Sequence, residues 1–134
     1  MSITPDDFLT EAQKLVERTD EMGVRLAINR AYYSAFHAAK AVVHWMPGFR
    51  PSNRDEPSHQ ELLDGFAVSK GAVFNGCKQA KEIHIALSQG RKLRRIADYE
   101  LSVSVEPEQA SAALETAKDV RRLIPEFLKR RQSA

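Results

Sequence analysis

Apolar positions recur along this chain at helical spacing and nowhere in sustained alternation. Phe8, Ala12, Leu15 and Val16 make one stripe. Ahead of it, Thr4-Pro5-Asp6-Asp7 is a good helix start. Thr4 suits the cap, proline suits the first helical position, and carboxylates favour the positive end of the dipole. Asp20 and Gly23 punctuate a short connection. A second helix is predicted from about Met22 to His44; it is apolar almost all round, as in a rod buried at the centre of a bundle. Pro47 to Pro57 holds three prolines and a glycine and is predicted as a loop, long for a bundle.

Ser58 with Glu61 reads as a capping box opening a third helix, with Leu62, Leu63, Phe66 and Ala67 inward. Helical sequence continues to about Tyr99, with a break expected near Gly71 or Asn75-Gly76. Ile83, Ala86, Leu87, Leu93 and Ala97 form its later stripe. Leu101 to Val105 is short and β-branched and is predicted as an extended connection. Glu106-Pro107-Glu108 starts the last helix, with Ala110, Ala113, Leu114, Ala117, Ile124, Phe127 and Leu128 at helical spacing. Pro125 should kink or end it near Ile124, with a further turn beyond. The sum is an all-α, antiparallel four- to five-helix up-down bundle, one domain over residues 1–134.

Composition changes this picture little. One cysteine, Cys77, forbids an intrachain disulfide and suits a reducing compartment. The polar, acidic start is unlike a signal peptide, and no stretch approaches the length of a membrane span, so a cytoplasmic protein is expected. Charge is uneven: residues 1–64 hold seven Lys/Arg against ten Asp/Glu, a sum of −3, and residues 65–134 hold thirteen against eight, a sum of +5. A basic C-terminal half is compatible with nucleic acid, with an acidic partner, or with plain solvation. The Arg130-Arg131 ending reads as a solvated tail.

Two polar segments do not fit a bland bundle. In the second helix Arg30, Tyr33, Ser34 and His37 share a stripe, opposite a core face of Ile28, Tyr32, Ala35, Ala39 and Val42. Arg30 and His37 stand about 10 Å apart along the axis. Such residues need partners. A guanidinium forks onto phosphate oxygens, and an imidazole moves protons near neutral pH. The bland alternative is a structural network, in which Arg30 pairs with a carboxylate. In the later helix Arg91, Arg94, Arg95 and Asp98 share a flank with His84, and Asp98 is spaced to pair with Arg94. That flank is either a phosphate-binding patch or a solvated basic face. His59, after the cap, reads as a surface residue of the first turn, and His44 as a neighbour of the second helix's negative end. There is no Gly-rich phosphate loop, no His-Glu-x-x-His and no cysteine pair, so no metal or cofactor is expected.

Arg30-Ala-Tyr-Tyr-Ser-Ala-Phe-His-Ala-Ala-Lys resembles the second-helix signature of HEPN domains, especially their small stand-alone branch. Ser58-His59, Phe66 and the Arg-x-x-Ala-Asp-Tyr run from Arg94 to Tyr99 resemble later landmarks of that branch. The resemblance implies a bundle that pairs into a homodimer. Many such proteins are metal-independent ribonucleases, and others are toxins beside a minimal nucleotidyltransferase antitoxin. The catalytic motif it implies is an Arg, four to six residues and a His on a late helix, met by its copy across the dimer. Here Arg91 is followed after five residues by Ala97, and no His follows Arg91. Arg30 to His37 has a similar spacing on a different helix.

The first expectation is therefore a module binding RNA, a nucleotide or a nucleotidyltransferase-type partner, within a toxin–antitoxin or defence system. Arg91, Arg94, Arg95, Asp98, Tyr99, Tyr33 and His84 would do the binding. The second is an endoribonuclease with a non-standard set, Arg30 with His37 or His84 with Arg91. The third is a homodimerising structural subunit whose polar stripe is the seam.

Overall fold

The computed structural model describes residues 2–53, 56–69 and 71–132, the last by its backbone alone. Its helices are α1 (Pro5–Leu15), α2 (Glu21–Lys40), α3 (His59–Phe66), α4 (Cys77–Tyr99) and α5 (Pro107–Gln132), with a 3-10 turn at Val43–Trp45. No strand occurs among the described residues, and none of these helices is long and apolar enough to cross a membrane. The fold is an all-α helical bundle.

Local sequence explains where most helices start. The Asp7 amide donates to Thr4 Oγ1, and the Thr4 amide donates to Asp7 Oδ2 at 2.8 Å. Asp20 caps α2 by accepting from the Gly23 amide. Ser58 and Glu61 form the expected capping box on α3. Glu61 does more: its carboxylate also accepts the Ser52 amide at 2.6 Å. The Ser58 and Ser52 amides hold that carboxyl down at about 2. One side chain thus ties the proline-rich loop to the first turn of α3.

Packing follows the apolar pattern. α2 lies at the centre, against α1, α4 and α5. Its Ile28, Ala31 and Ala39 are fully enclosed, and Tyr32 and Ala35 nearly so. Phe66 of α3 meets Phe127 of α5 edge to face, with ring centroids 6.1 Å apart. Gly76 precedes α4 with φ +93°, and a Cβ there would stand 3.1 Å from the Phe127 ring. Glycine is required on both counts.

Four sequence expectations need correction. α2 stops at Lys40, not His44, and Val43 to Trp45 turn tightly instead. The break expected near Gly71 or Asn75-Gly76 does separate α3 from α4, but α3 already ends at Phe66, and Ala67, expected inward, is non-helical and exposed. Residues 71–76 are non-helical, and Gly76, in the left-handed region, directly precedes α4. α5 does not end at Ile124. It continues through Pro125, which is exposed, because Leu123 and Phe127 on either side are buried and fix the rod. Leu101–Ser102 form a turn, and the Val103 amide donates to the Glu100 carbonyl at 3.1 Å.

That last turn has a visible cause in Arg25, only 7% exposed. Its guanidinium donates to the carbonyls of Ile96, Ala97, Glu100 and Val103, and to Glu21 Oε1. A helix ends with unpaired carbonyls and a negative dipole. Arg25 satisfies both for α4 and gathers the following turn around itself. Arg131, expected in a solvated tail, is also engaged: its Nε donates to the Trp45 carbonyl at 3.0 Å.

Candidate functional site

The centre of the site is a second buried arginine. Arg94 is 6% exposed, yet it makes no bond resembling those of Arg25. Its guanidinium carbon lies 5.3, 5.8 and 5.6 Å from the ring centres of Tyr32, Tyr33 and Tyr99. Cation–ring attraction therefore replaces much of its hydration. Among the described residues its carboxylate partner is Asp98, with Nη1 to Oδ2 at 3.6 Å, the ion pair their spacing predicts. Its Nε is buried without a partner. A buried donor left unmade costs stability, and in native proteins it often marks a functional demand.

Neighbouring side chains order this centre. Asn29 Nδ2 donates to both oxygens of Asp98, at 3.3 and 3.0 Å. Arg30 Nη1 donates to Asn29 Oδ1 at 2.5 Å. A polar relay thus joins α2 to the end of α4. On the α3 side, Tyr32 Oη and His59 Nδ1 are 2.6 Å apart. The His59 ring packs on Phe36, with centroids 4.6 Å apart. Next to it, Gln60 Oε1 accepts from Arg91 Nη1 at 2.7 Å, while Arg91 Nε is buried without a partner.

Burial sets the protonation here. It pushes the Tyr32 phenol up to about 12, although Arg94 and Arg91 oppose the rise. Burial lowers the His59 imidazole, and Arg94, Arg91 and His37 lower it further. His37 is lowered by burial and then by Lys40. The Tyr32–His59 pair is consequently neutral at physiological pH, ringed by guanidinium groups.

Outside this centre, Leu63 of α3, Arg91, Lys92, Arg95, Ile96 and Tyr99 of α4, and Glu100 line an open cleft of about 910 Å³. Tyr99 is 72% exposed. The cleft offers three cations and an exposed ring along one wall.

The sequence candidates therefore divide. Arg91, Arg94, Arg95, Asp98, Tyr99 and Tyr33 come together at the cleft and the centre behind it. His84 instead tethers helices: its Nδ1 lies 2.8 Å from the Leu63 carbonyl oxygen of α3. Arg30 and His37 both reach the α1 side. Arg30 lines a groove with Ile3, Asp7, Phe8 and Glu11, and His37 packs on Phe8 at 5.3 Å. Ser34 donates to the Pro5 carbonyl at 2.8 Å. His59 corrects its reading as a surface residue: it is half-buried and bonded into the centre. Tyr32 belongs to the core as expected, but its hydroxyl also serves the site. The one signal for His59 was its place in the Ser58-His59 landmark. Among the described residues no group of three or more His, Cys, Asp or Glu is placed to hold a metal.

The fold and this seam define a helical bundle with a cationic–aromatic site between its central and late helices. The family model for the HEPN domain matches residues 6–128, nearly the whole chain. The protein belongs to the HEPN domain family. No curated protein and no solved structure matches the chain.

Proposed function

We propose that this HEPN domain is an RNA-binding module that holds a single strand along the α4 cleft. The observation carrying this reading is the cleft wall itself: Arg91, Lys92 and Arg95 beside the exposed ring of Tyr99. Cations track a phosphate backbone, and an exposed ring accepts an unstacked base whatever its sequence. Arg94 adds a desolvated positive charge behind that wall. The usual late-helix His is absent, so binding is the activity proposed for this face. A cytoplasmic homodimer, with a nucleotidyltransferase-type partner in a toxin–antitoxin or defence pair, is the setting that fits. Leu101 and Val103, exposed just after α4, offer apolar surface for such a partner.

Fluorescence anisotropy of a labelled single-stranded RNA tests this. Replacing Arg91 and Arg95 together by Ala should weaken binding about tenfold or more. It should also flatten the dependence on log salt by roughly 1.4, about 0.7 for each phosphate no longer neutralised. The Arg121→Ala, Arg122→Ala pair on α5 should change little. Equal affinity in the wild-type protein and the Arg91/Arg95 variant would end the reading.

A further inference from the structure

The cations of the α4 cleft differ from those of α5. On α5, Lys118, Arg121 and Arg122 are each paired with a carboxylate. Arg91, Lys92 and Arg95 have no carboxylate partner among the described residues. Arg91 is bonded instead to a neutral group: its Nη1 donates to the amide oxygen of Gln60 at 2.7 Å. Its Nε is buried and unpartnered. The charge of this guanidinium is therefore short of both water and counter-charge.

Gln60 is itself held. Its Nε2 donates to Asp64 Oδ1 at 2.9 Å, one helical turn on. A guanidinium only donates and a carboxylate only accepts, so a single orientation of the amide serves both. The residues on either side fix the backbone beneath it. His59 is bonded to Tyr32 of α2 at 2.6 Å, and Glu61 accepts the Ser52 and Ser58 amides at 2.6 and 3.0 Å. Three successive side chains of α3 thus reach the central helix, the late helix and the proline-rich loop. Gln60 is exposed, yet it stands at a fixed place beside α4.

We infer that Gln60 is the positioning residue of the cleft: it holds Arg91 in place for a phosphate without cancelling its charge. This rests on the RNA-binding reading above. A free arginine must be ordered when it grips a ligand, and that ordering weakens binding. A carboxylate at position 60 would order it too, but through an ion pair that a phosphate would have to break. A neutral amide does the first without the second. Asp64, whose charge would suit such a pair, is bonded to the amide instead. Arg91 is thereby presented as an oriented, uncompensated cation. Lys92 and Arg95 add charge along the strand without that orientation.

Anisotropy of labelled single-stranded RNA with the full chain, over a range of salt, tests this. Gln60→Ala keeps the charge and frees the arm, so affinity should fall about threefold, the scale of ordering one long side chain, with the salt slope unchanged. Gln60→Glu orders the arm and cancels it, so affinity should fall about fivefold and the slope should flatten by about 0.7, one phosphate no longer neutralised. Both effects should largely vanish in the Arg91→Ala protein. Thermal unfolding should place both variants with wild type, because the side chain is exposed; a merely structural role would move the melting point and leave the salt slope alone. Wild-type affinity and slope in Gln60→Glu overturn the inference and spare the binding reading. So does an equal loss with and without Arg91, which would make the effect one of general charge. Absence of any RNA binding by the wild-type protein sinks both.

Discussion

Arg25→Met should destabilise the protein by about 3 kcal/mol. The side chain is nearly enclosed and serves four carbonyls and one carboxylate. Methionine keeps most of the volume and removes every donor. The carbonyls at the end of α4 then face the interior without partners, and each such group costs about 1–3 kcal/mol when water cannot replace the donor. Some will be reached by water at the exposed turn, which holds the total near the lower end. Thermal unfolding should show a midpoint lower by roughly 10 °C for a domain of this size. Arg94→Met is the informative contrast. That guanidinium bonds no backbone carbonyl, its ion pair is 3.6 Å long, and Asp98 keeps its two bonds from Asn29. Removing one member of an ion pair is costly where it strands a buried charge; Asp98 is a quarter exposed and stays bonded to Asn29, so Arg94→Met should unfold within about 1 kcal/mol of wild type. Equal losses at the two positions would remove the distinction between a structural and a functional arginine.

Phe127→Ala should cost about 3–5 kcal/mol, the range for a fully buried aromatic truncated in a core. Phe127 has no exposed surface. It meets Phe66 of α3 edge to face and closes over Gly76 at the start of α4. Three elements therefore converge on one ring, and little there can collapse to fill the space. The residue also lies beyond Pro125, so the variant asks whether that last stretch of α5 belongs to the core. A chemical-denaturation curve shifted by under about 1 kcal/mol would mean that it does not.

These two residues show what the sequence discloses and what it hides. Helix starts at Thr4 and Ser58 are legible because a cap and its partner lie three residues apart, whereas Asp20 and Gly23, read as a connection, are the N-cap and a residue of the first turn of α2. The central place of α2 is legible from its nearly continuous apolar surface. The ion pair of Arg94 with Asp98 follows from helical spacing alone. Arg25 is not legible, because its carbonyl partners lie 71 to 78 residues away and a carbonyl carries no sequence signature. His59 is hidden for the same reason: Tyr32, which fixes it, is 27 residues distant. Pro125 misleads in the other direction. Its local cost predicts a helix end, while burial of Leu123 and Phe127 outweighs that cost. The helical wheel also groups Arg30, Tyr33 and His37, and the Tyr33 and His37 rings do lie 6.0 Å apart, yet Tyr33 faces Arg94, while His37 also packs on Phe8 of α1 and Arg30 lines the α1 groove as well as bonding Asn29. A stripe on a wheel is wide enough to touch two neighbours, and only packing divides it.

The central claim is that the α4 cleft, backed by Arg94 and the start of α3, is where RNA is held. Amide chemical-shift mapping during titration with a short single-stranded RNA addresses it directly. The largest changes should gather at residues 88–100 and at His59 and Gln60, with the outer face of α5 around Lys118 and Arg122 still. Changes confined to α5 or to the cations at 129–131, with α4 unmoved, would contradict it.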